Sequence, residues 1–93
     1  MARLLDDAEI DSRLRGSAWE REGTRIVREW RLRDFAAAVE FVNRVAAVAE
    51  ERDHHPDILV HGYDRVRLEL STHSAGGLTE SDFELARRID ALS

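Results

Sequence analysis

The chain contains no cysteine, which removes disulfides, thiolate nucleophiles and thiolate metal ligands together. It contains no lysine either, so every one of its 14 basic side chains is an arginine. Schiff-base chemistry and a lysine general base are thereby excluded. Proline occurs once, at Pro56, and aromatic residues make up only 6% of the chain. No apolar run approaches the ~20 residues needed to cross a bilayer. No apolar stretch of signal-peptide type opens the sequence, which predicts a cytoplasmic protein. His, Asp, Glu, Tyr and hydroxyl side chains remain for any chemistry.

What is present describes an ordinary water-facing domain. Ninety-three residues, 43% hydrophobic and 35% charged, predict a single domain spanning 1–93 with a modest core. A chain this small gains stability from association. The formal net charge is −5 and the acidic residues are spread along the chain. Neither nucleic acid nor an anionic membrane is attracted by that balance.

Periodicity gives the element order. Asp6 and Glu9 form a helix-start box with Leu5 and Ile10 at the staple positions, and this short helix ends near Arg15-Gly16. Residues 19–22 read as extended, Gly23-Thr24 as a turn. In the next strand Ile26, Arg28, Trp30 and Leu32 alternate with Arg25, Val27, Glu29 and Arg31. Asp34 caps a long helix over 35–52. There Phe35, Ala38, Val42, Val45 and Ala49 share one face, beside a second row of Ala37, Phe41 and Val48. A stripe that wide fits either a core on one flank with a partner subunit on the other, or one deeply buried helix.

Residues 58–63 read as a third strand. A fourth runs from Arg65 to Thr72 with Val66, Leu68 and Leu70 inward. Ser74 to Gly77 form a loop. Thr79 and Asp82 repeat the box, with Leu78 and Phe83 as staple, and the last helix buries Leu85, Ile89 and Leu92. The predicted fold is α+β, in the order α-β-β-α-β-β-α, with a four-stranded antiparallel sheet and its helices on one face.

Three of the four histidines fall in two short stretches, Glu50 to Pro56 and Ser71 to His73. Histidine exchanges protons near neutral pH without perturbation. Proline disfavours helix in the residue before it, so the long helix should stop by about His55. Neighbouring histidines at such a corner can converge on one pocket. Each residue also has a plain structural explanation. His54 and His55 suit the negative pole of a helix C-terminus, and Asp82 explains itself by capping. Glu50 and Asp53 read equally as helix-end surface charges, and His61 as a strand histidine. No helical chelate spacing such as H-x-x-x-H occurs, which argues against a metal site. From spacing alone, an acid-base enzyme and a binding module both remain open.

Taken together, Glu50, His54-His55-Pro56, Tyr63, His73 and Asp82 resemble the signature of the pterin-4a-carbinolamine dehydratases. These are also called 4a-hydroxytetrahydrobiopterin dehydratases. Flanks at Ala49-Glu50, Leu70 to His73, Gly76 to Thr79, Trp19 and Arg33-Asp34-Phe35 extend the resemblance over nearly the whole chain. It implies loss of water from a 4a-hydroxytetrahydropterin to give the quinonoid dihydropterin, in tetrahydropterin recycling. It also implies a homodimer, in some members paired into a tetramer, with pterin as substrate and no metal or bound cofactor. Position by position, His54 and His73 resemble the acid-base pair and His55 the residue that holds the pterin. Glu50, Asp53 and Asp82 resemble the carboxylates that orient or tune them. Two departures stand out: Tyr63 fills a position often given to another aromatic, and Asp57-Ile58-Leu59 replaces the aromatic pair of some animal members. Other relatives bind a transcription factor or, lacking the full histidine set, assist protein assembly, so a non-catalytic protein-binding role is the alternative.

Overall fold

The computed structural model describes residues 3–93. Its elements are α1 (Asp7–Leu14), β1 (Glu20–Glu22), β2 (Arg25–Arg31), α2 (Phe35–Arg52), β3 (Asp57–His61), β4 (Arg65–Leu70) and α3 (Glu80–Asp90). A single 3-10 turn, His73–Ala75, lies between β4 and α3. All strand pairs are antiparallel and the sheet order is β1-β2-β4-β3. The α-β-β-α-β-β-α order is thus as the sequence predicts. No helix among the described residues is long and apolar enough to cross a membrane.

Helix starts follow from local chemistry. Asp6 Oδ1 accepts from the Glu9 amide at 2.8 Å, and Glu9 returns the bond to the Asp6 amide at 3.0 Å. Asp34 Oδ1 accepts from the Ala37 amide at 2.8 Å at the start of α2. Each bond satisfies a backbone donor that the first helical turn leaves free. Leu5 and Ile10, the staple pair of α1, are both buried, and the Leu5 amide reaches the Leu78 carbonyl at 2.9 Å. That contact ties the N-terminal segment to the approach to α3.

The core lies between the sheet and the helices. Ile26 and Trp30 from β2 join Val66, Leu68 and Leu70 from β4, the strand beside it, against Ala38, Phe41, Val45 and Val48 of α2. Leu85 and Ile89 of α3 close the same cluster. Trp30 anchors it, with ring centroids 5.0 Å from Phe41 and 5.7 Å from Trp19. Trp19 is fixed in turn by an Nε1–H bond to Asp90 Oδ1 at 2.8 Å.

Several details depart from the periodic reading. The buried stripe of α2 is Ala38, Phe41, Val45, Val48 and Ala49, so it takes Phe41 and Val48 from the second row. Phe35 is 56% exposed and Val42 only half-buried. Phe41 wins the inner position because Trp30 stands opposite it. Val27 has outward parity yet is only 5% exposed. Its neighbours across the ladder are Glu20 and Glu69, and Glu69 is held down by Arg25 and Arg67. β3 ends at His61 rather than Tyr63, because Gly62 and Tyr63 both take positive φ. β4 stops at Leu70, with Thr72 making only an isolated bridge to Gly77.

Ion pairs cover much of the surface, and they set an expected acid sensitivity. The Arg3 guanidinium, followed by the Asp6 amide, holds the Glu9 carboxyl down at about 2. Arg25 and then Arg67 lower Glu69, Arg13 lowers Glu80, and the Ala37 amide lowers Asp34. Carboxylates lowered in the folded state stabilise it above their ordinary range and lose that contribution as pH falls through the folded value. The melting temperature is therefore expected to fall progressively from about pH 5 to about pH 2. Because these groups are exposed, added salt should shrink the loss. Thermal melts across that range check this, and a flat profile would contradict it.

Candidate active site

The site is built where α2 ends. Asp53 adopts the left-handed conformation (φ 47°, ψ 44°), and the His54 amide bonds back to the Ala49 carbonyl at 3.1 Å. This turn halts the helix at Arg52, three residues before the limit that Pro56 imposes, and throws His54 and His55 out of it. They then separate in environment. The His54 side chain is 16% exposed and that of His55 55%.

His54 turns inward. Its Nε2 lies 2.6 Å from Oδ1 of Asp82, a residue with no solvent exposure. Asp82 occupies the third position of α3 and closes the helix-start box predicted with Thr79. Its Oδ2 accepts from the Thr79 amide at 2.9 Å and from Thr72 Oγ1 at 2.8 Å. The Thr79 hydroxyl, 2.8 Å from Thr72 Oγ1, extends the chain. Since Thr72 donates to Asp82, Thr79 donates to Thr72. A carboxylate is an acceptor only, so Nε2 of His54 carries the hydrogen of this bond.

His55 and His73 face solvent, and both line two adjoining hollows. The first, of about 230 Å³, is walled by Thr24, Arg25, His55, Asp57, Glu69, Leu70, Ser71, His73 and Gly76. The second, of about 220 Å³, runs past Asp53, His54, His55, Ser71, Thr72, His73 and Ser74. His55, Ser71 and His73 border both, so the hollows meet along these three residues as a cleft. His73 reaches it from the 3-10 turn beyond β4.

The remaining candidates divide. Asp53 lines the second hollow while shaping the α2 terminus. Glu50 lines neither hollow; its side chain is 77% exposed, with Oε2 3.6 Å from His55 Nε2. His61 pairs with Glu29 at 2.7 Å and Tyr63 stands at the β3–β4 turn, both outside the cleft. Among the described residues, no group of three or more His, Asp or Glu is placed to hold a metal ion.

Residues not named as site candidates also contribute. Thr72 carries a hydrogen bond to Asp82, and Arg25, Asp57 and Glu69 wall the first hollow. Arg25 and Glu69 have outward parity on separate strands and Asp57 belongs to the Asp57-Ile58-Leu59 departure; cross-strand register brings the three together. Within the hollow, Arg25 Nη1 is 2.5 Å from Glu69, and the Ser71 hydroxyl donates to the Thr24 carbonyl at 2.8 Å.

The chain matches the family described as Pterin 4 alpha carbinolamine dehydratase over residues 3–92. A protein of Thermomicrobium roseum with the provisional name pterin-4-alpha-carbinolamine dehydratase is 52% identical, covering 100% of this chain and 99% of its own. A Sulfolobus acidocaldarius protein of the same provisional name is 46% identical, over 95% and 97% of the two chains. Among solved structures, a transcriptional coactivator/pterin dehydratase from Brucella melitensis superposes with a TM-score of 0.90 at 34% identity, covering 97% and 98%. A pterin dehydratase-like protein identified as a RuBisCO assembly factor in the alpha-carboxysome gives 0.67 at 27% identity, covering 81% and 88%.

The buried carboxylate makes a direct stability test. Asp82→Ala would leave the Thr79 amide, the Thr72 hydroxyl and His54 without their acceptor. Removing one partner of a buried, charge-assisted set costs about 3–5 kcal/mol. Urea denaturation should register a loss of that size. A change under about 1 kcal/mol would show that Asp82 does not hold these segments together.

Proposed function

The chain belongs to the pterin 4 alpha carbinolamine dehydratase family, and on that premise we propose that it dehydrates a 4a-hydroxytetrahydropterin to the quinonoid dihydropterin. One observation supports this most: His54 is held on buried Asp82 while His55 and His73 open onto the same cleft. Loss of water breaks the C4a–O bond as the hydroxyl takes up a proton, and a ring nitrogen gives one up. No net electrons move, so the reaction requires no redox cofactor, and we assign no metal or cofactor to the site.

In this reading His54 and His73 form the acid-base pair. Asp82 fixes the ring and hydrogen position of His54, as an orienting carboxylate does for a catalytic imidazole. His55 holds the pterin ring, while Glu50 and Asp53 add negative charge around the two exposed imidazoles. Replacing His54 or His73 with alanine is expected to lower kcat by roughly 10²-fold or more, with the fold retained. His55→Ala should act mainly on KM, because it removes a contact shared by ground and transition states. His61→Ala, outside the cleft, is the neutral control. The measurement is dehydratase turnover after subtracting the uncatalysed rate. Near-wild-type kcat in the His54→Ala/His73→Ala double variant would remove the acid-base assignment. An inert wild-type protein that co-purifies with one stable partner would favour the role of the RuBisCO assembly factor relative.

The same proposal includes a homodimer, with a tetramer as its paired form. Phe35 is 56% and Val39 39% exposed on α2, beside half-buried Val42. Covering such a face through a twofold axis is the commonest solution for a small chain. Light scattering at micromolar concentration should give about twice the 10.6 kDa chain mass or a multiple of that pair. A monomer mass would exclude it.

A further inference from the structure

The first hollow has more polar groups than the proton chemistry uses, and most are already committed. Arg25 is paired with Glu69, and Glu69 also takes Arg67 at 3.1 Å. The Ser71 hydroxyl is bonded to Thr24. Asp57 is different: among the described residues no hydrogen bond or ion pair satisfies its side chain, yet it lines the hollow beside His55 and His73. It is the one wall carboxylate free to accept from a ligand.

Its charge also has no direct counterion among the described residues. Asp57 is the direct cross-strand partner of Glu69, whose own charge Arg25 and Arg67 already take up. Neither guanidinium that neutralises Glu69 lies within ion-pair distance of Asp57. An exposed carboxylate without a protein partner, on the wall of a cleft, suits a ligand that brings its own donors.

We infer that Asp57 is the specificity-determining residue for the ring, accepting both adjacent donors of a 2-amino-4-oxopyrimidine. This inference rests on the pterin reading of the same cleft. The 2-amino group and neighbouring N3–H of such a ring point the same way. Two carboxylate oxygens match that pair as they match the fork of a guanidinium. Asp57 thus selects rings that carry the 2-amino group, apart from the histidines that handle the 4a-hydroxyl. Asn at this position keeps the shape but loses the charge and one of the two acceptor oxygens.

The test uses the full chain with two probes, 7,8-dihydropterin and its 2-deamino counterpart, alongside dehydratase turnover. Wild type is expected to bind the 2-amino probe about tenfold or more tightly. Asp57→Asn should raise its Kd and the substrate KM about tenfold, leave kcat within about twofold, and weaken the 2-deamino probe, which offers only N3–H, much less than the 2-amino probe. Its Tm should be unchanged, since Asp57 has no protein partner to lose. A variant with unaltered Kd and unaltered preference overturns the inference while leaving the dehydratase reading intact. A lowered Tm with KM and kcat worsening together also overturns it, as a structural role would. Wild-type protein that neither binds 7,8-dihydropterin nor turns over substrate would remove the pterin reading, and this inference with it.

Discussion

A carboxylate with no solvent exposure must be satisfied from within the protein, and Asp82 imposes that demand on three segments of the chain, one of them the start of its own helix. The Thr79 amide comes from the start of α3, the Thr72 hydroxyl from the end of β4, and the His54 imidazole from beyond α2. An unsatisfied buried charge is far more costly than any surface pair here, so the three termini must meet at one point. That convergence sets where the cleft opens. The left-handed Asp53 turn and the Thr72 bridge to Gly77 are the local adjustments that allow it.

The three clustered histidines are thereby made unequal. His54 is locked by its contact with Asp82, whereas His55 and His73 stay exposed and able to meet a ligand. Of the three, only the fixed imidazole has its hydrogen position imposed, by the carboxylate it faces. The opposite wall is built from the sheet's outward face, where arginine and glutamate side chains saturate each other. Asp57 stands out against that saturated wall.

Much of this was legible in the sequence because it depends on near neighbours. The boxes at Asp6/Glu9 and Thr79/Asp82 and the Asp34 cap act over three residues, and each begins a helix as read. Alternation at Ile26, Trp30, Val66, Leu68 and Leu70 marks the inner sheet face correctly. Phe35 and Val27 misled in opposite directions. Phe35 has the right helical spacing, but Trp30 takes Phe41 instead; Val27 has outward parity, but its cross-strand neighbours cover it. Such outcomes depend on what stands opposite, which periodicity does not contain.

The sequence by itself determined the element order, the helix starts and the histidine cluster, since caps and alternation act through bonded neighbours and short spacings. It also carried the family resemblance through residues spread from Trp19 to Asp82. Only the tertiary structure decided which histidine meets the buried carboxylate, that Thr72 joins them, and that Asp57 stands unpaired opposite Glu69. Those facts arise from burial and cross-strand register, which exist only once segments far apart in the chain have packed together.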